Sequence, residues 1–394
     1  MGLTPVNDLG RGLYLGRYPG GLYPDGLNEP PTPHAAEGLR RALNVQPLDA
    51  DGRPDPAGKI VLLSIGMSNT TQEFCGGNPC QPGSFEAQAT ADPRVNHATL
   101  MIVDGAAGGQ TAQTWDSPDD PNYDRVRDTR LAREGVTEAQ VQAVWVKVAN
   151  AAPRVSLPAP DADAFRLLGY MGGIARALNQ RYPNVQVVFH SSRIYAGYAS
   201  TPLNPEPYAY ESGFTVKWLV EAQIRQMAGG GIDPIAGDLD YNAAAPWMAW
   251  GAYLWADGLK PRSDGLIWRC EDLRDDGTHP SPSGVEKVGR LLLDFMLESP
   301  FSRPWFTSPE GGIPCDHVKK LKARCRRGGL TVTVRLNTRE HDGESVTIAV
   351  NGQPADIVID GRKAKRVFHN QSGARRVQLI QPPGCVEGVE VDCG

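Results

Sequence analysis

Four short segments carry groups that could do chemistry together: Gly66-Met67-Ser68-Asn69, Asp104-Gly105-Ala106-Ala107-Gly108-Gly109-Gln110, Ala149-Asn150-Ala151 and Asp276-Gly277-Thr278-His279-Pro280. The last is the most specific. An Asp and a His three residues apart on a turn can join carboxylate to imidazole Nδ1 while Nε2 faces outward as a base. Such a base makes a serine hydroxyl nucleophilic, and Ser68 is the candidate hydroxyl. Acyl transfer also needs donors for the oxyanion that develops on the carbonyl. The Ser68 N–H, the Gly108 N–H with no side chain to block approach, and the Asn150 side-chain amide can supply them. Gly109 competes with Gly108 for its place, and Asp275 with Asp276, although Asp275 lies one residue too far back for the same turn. The chemistry expected is ester hydrolysis through an acyl-enzyme, with no step that calls for a metal or an organic cofactor.

The first three segments each follow a short apolar run. These runs are Ile60-Val61-Leu62-Leu63-Ser64-Ile65, Thr99-Leu100-Met101-Ile102-Val103 and Val144-Trp145-Val146-Lys147-Val148, and a fourth is Val185-Gln186-Val187-Val188-Phe189. Continuous apolar character predicts strands buried on both faces, as in a parallel sheet covered by helices. Helical periodicity fills the gaps over 162–181, 211–227 and 283–297. The fold predicted is a doubly wound α/β sandwich. Open sheets of that kind place their sites beyond the carboxyl ends of the strands, where these segments lie. His190 also follows a run, and Trp115, Arg193 and Tyr195 sit on nearby loops. These four are candidates for a substrate cleft, with packing or solvation as their plainer roles.

Taken together, the four segments resemble the sequence blocks of the SGNH hydrolase superfamily, the GDSL-type esterases and lipases named for Ser, Gly, Asn and His. The resemblance runs from Lys59 to near Pro300. It implies a three-layer sandwich with a mostly parallel five-stranded sheet of flavodoxin-like type. It implies a triad of Ser68, Asp276 and His279, and an oxyanion hole of Ser68, Gly108 and Asn150. The family's Gly-Asp-Ser is here Gly66-Met67-Ser68, the asparagine before its second-block glycine is Asp104, and its Gly-x-Asn-Asp is Val148-Ala149-Asn150-Ala151. None of these changes removes a group the triad or oxyanion hole needs, and they mark a divergent branch. Because the family includes carbohydrate deacetylases, the substrate expected is a carbohydrate O-acetyl ester of acetylxylan type. A broad short-chain esterase or lipase, and a non-catalytic polysaccharide- or surface-binding protein, are the alternatives.

At 394 residues the chain is long for one domain. Residues 1–58 are rich in Gly, Pro and Tyr, with one short helical candidate over 35–43, and read as an arm packed on the catalytic domain, 59–308. Residues 309–394 turn to alternating β-type runs, Leu330-Thr331-Val332-Thr333-Val334 and Val346-Thr347-Ile348-Ala349-Val350, with hairpin signals at Asn351-Gly352 and Asp360-Gly361. A small antiparallel β-sandwich is expected there. Its basic stretch, Lys319-Lys320-Leu321-Lys322-Ala323-Arg324-Cys325-Arg326-Arg327, could attract an acidic polysaccharide or simply charge a strand edge against aggregation.

A net charge of −5 argues against nucleic acid as principal partner, and no run of ~18 apolar residues is present to span a membrane. Among the seven cysteines, Cys75 and Cys80 bracket a tight loop and Cys315, Cys325, Cys385 and Cys393 cluster near the C-terminus, as in an exported protein. A secreted or periplasmic chain whose signal is not part of this sequence is expected. The four C-terminal cysteines allow three connectivities, their spacing matches no zinc pattern, and Cys270 is left as a buried, unpaired thiol.

Overall fold

The computed structural model describes residues 2–308, 313–326, 328–382 and 385–394. The boundary expected at 308/309 adjoins residues outside that set, as does Arg327 at the end of the basic stretch. The chain forms two compact units. One comprises Met1–Pro30, Pro47–Asp92 and Thr99–Phe295, the other Pro31–Gln46, Pro93–Ala98 and Met296–Gly394. The helix expected near 35–43 is α1 (Thr32–Asn44), which belongs to the second unit.

In the first unit, five strands form one parallel sheet in the order β2-β1-β3-β4-β5. They are β1 (Ile60–Gly66), β2 (Leu100–Asp104), β3 (Val141–Lys147), β4 (Val187–His190) and β5 (Trp247–Trp250). Every residue of β1 and β3 is buried, which explains their unbroken apolar sequence. The helices α2 (Ser68–Phe74), α3 (Phe85–Ala91), α4 (Asp163–Arg181), α5 (Tyr208–Met227) and α6 (Pro282–Glu298) complete the predicted α/β architecture. The register pairs Ser64 with Asp104, Gly66 with Lys147, Val146 with His190 and His190 with Trp250. The carboxyl ends of all five strands therefore share one edge, and the first three candidate segments leave from it.

The N-terminal residues of this unit are held by specific contacts. The Val6 N–H donates to the Tyr253 hydroxyl at 3.1 Å, the Trp250 N–H donates to the Tyr23 hydroxyl at 3.2 Å, and Tyr14 stacks on Phe214 with ring centres 5.4 Å apart.

The second unit contains one seven-stranded antiparallel sheet in the order β12-β11-β8-β9-β10-β7-β6. Its strands are β6 (Val318–Arg326), β7 (Gly329–Leu336), β8 (Ser345–Val350), β9 (Gln353–Asp360), β10 (Lys363–Phe368), β11 (Ala374–Gln381) and β12 (Val389–Asp392). Alternation along β7 sends Leu330, Val332, Val334 and Leu336 into a core shared with Val346, Ile348, Ile359 and Val377. Asn351 and Gly352, both with positive φ (49° and 81°), make the two-residue turn that their sequence predicts.

Of the three possible connectivities, the one present is Cys315–Cys385 with Cys325–Cys393, and Cys75–Cys80 closes the loop in the first unit. Cys325 lies on the edge strand β6 and Cys393 directly follows the opposite edge strand β12, so this bond ties the two edges of the sheet. The basic stretch runs along β6. Cys270 is unpaired as expected, but it is exposed, not buried. It opens a short turn, Cys270–Asp272, in which only Asp272 is buried, so the local chain turns the thiol to solvent.

Candidate active site

Ser68 is positioned by the way β1 passes into α2. A side chain at Gly66 would collide with the Lys147 carbonyl and the Thr70 hydroxyl, so the sharp exit of the strand requires glycine. Thr70 fastens the turn on both sides. Its hydroxyl accepts the Met67 N–H at 3.2 Å and donates to the Lys147 carbonyl at 2.6 Å. Ser68 is then the first residue of α2, where an N–H has no acceptor within the helix.

His279 comes from a loop closed by the bridge of Leu273 with Pro280 and by the Arg274 N–H on the His279 carbonyl at 2.8 Å. Inside it, Asp276 uses both carboxylate oxygens. Oδ1 accepts the Thr278 and His279 N–H groups at 2.8 and 2.9 Å, and Oδ2 lies 2.5 Å from His279 Nδ1. That leaves Nε2 facing the serine, with Ser68 Oγ 2.9 Å away. Partial burial pushes the Asp276 carboxyl up, but the hydrogen bonds from His279 and Thr278 outweigh it and hold the group below the usual carboxylate range. Gly277 has φ +59°, and a side chain there would strike the backbone of Tyr198 and Ala199. Two further bonds brace the loop: the Asn69 amide donates to the Thr278 carbonyl at 2.9 Å, and the Ser200 N–H donates to the Asp276 carbonyl at 3.0 Å.

The second segment comes close to Ser68 at Gly108, where an added Cβ would lie 4.0 Å from the Ser68 Cβ. At Gly109, with φ +78°, an added Cβ would meet no atom within 4 Å. The loop start is clipped by Asp104. Its carboxylate accepts the Ser64 hydroxyl at 2.6 Å, the Thr71 hydroxyl of α2 at 2.5 Å and the Ala106 N–H at 3.2 Å. Burial pushes this carboxyl up to about 6 even though those hydrogen bonds favour the ionised form. Asn150 is buried beyond β3, where its amide nitrogen donates to the Asp163 carbonyl at 2.8 Å, committing one of the two amide hydrogens.

The four cleft candidates are all buried. Trp115 packs edge-on against Tyr123 at 5.3 Å and accepts its hydroxyl on the carbonyl at 2.8 Å. His190 is the last residue of β4, and burial holds its pKa down at about 3, so the imidazole is neutral. Tyr195 packs on Tyr198 and Trp255 with ring centres 5.2 and 6.0 Å away. Arg193 is 1% exposed, and its Nε and Nη2 groups have no partner among the described residues.

Sequence reasoning missed a buried ion pair next to the Ser68 turn. Lys147, at the carboxyl end of β3, makes an ion pair with Glu73 of α2, and neither side chain is exposed. Burial pushes the Glu73 carboxyl up and the Lys147 ammonium down to about 8, and each partner opposes the other's shift. Arg193 and His279 also lie within electrostatic reach of Glu73. The available signal was a lone lysine inside an otherwise apolar run, with a glutamate five residues after Ser68.

No family model matches this chain, and no curated protein matches it. Among solved structures, it is similar to a GDSL-like protein from Parabacteroides merdae ATCC 43184, at 12% identity and TM-score 0.35, over 63% of this chain and 96% of that one. An acetyl xylan esterase matches at 15% identity and TM-score 0.33, over 60% of this chain and 98% of that one. An extracellular lipase from Streptomyces rimosus matches at 12% identity and TM-score 0.30, over 60% of this chain and 99% of that one. Identities and TM-scores of this size leave the functional reading to rest on the geometry above.

Proposed function

We propose that the chain is a serine carboxylic ester hydrolase with Ser68 as nucleophile, His279 as general base and acid, and Asp276 as the group that orients His279. The observation that carries this reading is the chain of contacts from Ser68 Oγ to His279 Nε2, 2.9 Å, and from His279 Nδ1 to Asp276, 2.5 Å. In the first step His279 takes the Ser68 proton as Oγ bonds to the ester carbonyl carbon, and the carbonyl π electrons move onto oxygen. The oxyanion is received by the N–H groups of Ser68 and Gly108 and the second amide hydrogen of Asn150. His279 returns its proton to the departing alcohol, leaving an acyl-serine. A water deprotonated by His279 then releases the acid and restores Ser68.

The substrate we assign is a carbohydrate O-acetyl ester. Its support is the sequence resemblance to a family that includes such esterases, together with an appended β unit. Three disulfides fit an oxidising compartment, and hence a secreted or periplasmic protein acting on extracellular polymer. No helix among the described residues is long and apolar enough to cross a membrane.

The test is turnover of p-nitrophenyl acetate and of acetylated xylan by the wild type and by Ser68→Ala. The variant is expected to keep its fold and lose ~10³-fold or more of kcat. An unchanged rate, or no fluorophosphonate adduct at Ser68 in folded protein, would sink the assignment. A series of longer p-nitrophenyl esters tests the acyl preference, which should fall with chain length.

A further inference from the structure

We propose that the second unit holds a divalent transition-metal ion of the zinc class, ligated by His317 Nδ1, His341 Nε2 and the Glu340 carboxylate. Cysteine spacing gave no hint of it, because antiparallel pairing assembles the site. His317 ends a short turn (Cys315–His317) directly before β6, and His341 lies in the connection from β7 to β8. Since β6 pairs with β7 so that Val318 faces Leu336, the residue before one strand and the loop after the other meet at the same end of the sheet. Asn337 fixes that meeting, with its N–H on the His317 carbonyl at 3.0 Å and its amide on the Asp316 carbonyl at 2.5 Å. The Cys315–Cys385 disulfide anchors the same turn two residues earlier.

The donor set has the features of a metal centre. His317 Nδ1 and His341 Nε2 face each other at 2.9 Å, and Glu340 Oε2 is 3.8 Å from His317 Nδ1. The ligand atoms of His317, Glu340 and His341 all lie within 4.8 Å of one another. The other nitrogen of His341, Nδ1, is 3.1 and 3.2 Å from the two Glu344 carboxylate oxygens. An imidazole that donates Nδ1–H to a carboxylate presents its Nε2 lone pair on the opposite side, the arrangement that orients histidine ligands in zinc sites. Two nitrogens each ~2.05 Å from a tetrahedral ion stand roughly 3.3 Å apart, so the pair needs to open by only a few tenths of an ångström.

The Glu340 side chain is 72% exposed and free to swing the remaining distance, with water left to fill the fourth position. Without an ion, one of the two facing imidazoles donates its N–H to the lone pair of the other. With the ion bound, His317 carries its hydrogen on Nε2 instead, and both facing nitrogens offer lone pairs to the metal. Because an ion bound only by the folded form stabilises it, the site would act as a clip on the β7–β8 connection.

The test uses the whole protein after treatment with a chelator. Calorimetric titration with Zn²⁺ should show one saturable site, Co²⁺ should give the visible absorption of a tetrahedral ion, and added Zn²⁺ should raise the thermal unfolding midpoint. His341→Ala and His317→Ala should each lose all three responses while retaining esterase turnover. Glu344→Gln should weaken Zn²⁺ binding by ~10–100-fold, the usual loss when a group orienting a ligand is removed. Absence of saturable binding by the wild type, or binding that persists in either histidine variant, would overturn the site and leave a simple imidazole–imidazole hydrogen bond.

Discussion

Two layers of charge sit at the carboxyl edge of the parallel sheet, and water reaches only one of them. The side chains of Asp276 and His279 are 31% and 19% exposed, whereas Glu73 and Lys147 are sealed off completely. Charges that keep contact with solvent cost little to hold in place and can exchange protons and meet a substrate. A dry pair does neither. It repays its desolvation only while both partners are present, and it joins α2 to β3. On the function proposed above, the difference gives chemistry to the first pair and placement of Ser68 to the second.

The sharpest way to break this division is Asp276→Asn. An asparagine Oδ1 can still accept the Thr278 and His279 N–H groups, so the loop should persist. Its amide nitrogen, however, would donate toward His279 Nδ1 and force the proton onto Nε2, where the serine needs a lone pair. The expected loss is roughly 10⁴-fold in kcat with only a small change in the unfolding midpoint. A fall in stability as large as the fall in rate would erase the contrast between the layers.

The dry layer predicts the reverse. Lys147→Met leaves Glu73 buried with its ion-pair partner gone, and should destabilise the protein by about 3–5 kcal/mol in urea unfolding. The double variant Lys147→Met/Glu73→Leu, which removes both charges, should recover a large part of that loss. A single variant within about 1 kcal/mol of wild type would mean that the pair is not the fastening described.

How far each layer could be read from the sequence follows from the same contrast. Asp276 and His279 are three residues apart, so the turn alone brings them together and their relation is written locally. Ser68 and Gly108 stand out as candidates because each follows a buried strand in a fold that gathers strand ends at one edge. Lys147 and Glu73 lie 74 residues apart, and only the pairing of β1 with β3 makes them neighbours. The histidines of the second unit depend in the same way on the pairing of β6 with β7. Strand β5 escaped notice because Trp247-Met248-Ala249-Trp250 is four residues long and contains no β-branched residue. Cys270 was misjudged because a thiol's general tendency to be buried says nothing about a turn that faces solvent.

Asp104 lies between the two layers in character, since it is buried like the dry one but carries a carboxyl that titrates near neutrality. Its folded pKa of about 6 lies above the ordinary aspartate value of 3.8, so the folded protein holds the proton more tightly than the unfolded chain does. Stability from this group is therefore full below the unfolded pKa and is lost as pH rises through the folded one. Asp276 slopes the other way: its folded pKa is depressed, so its contribution is present above the unfolded value and is lost as pH falls through the folded one. Asp104→Asn keeps an acceptor for the Ser64 hydroxyl and the Ala106 N–H but cannot ionise. Relative to wild type, the variant should thus gain about 1–3 kcal/mol between about pH 4 and about pH 8, measured as the difference in urea unfolding free energy at the two pH values. A difference that stays constant across that range would show that Asp104 ionises as readily as an exposed carboxylate, and would move it out of the dry layer and into the wet one.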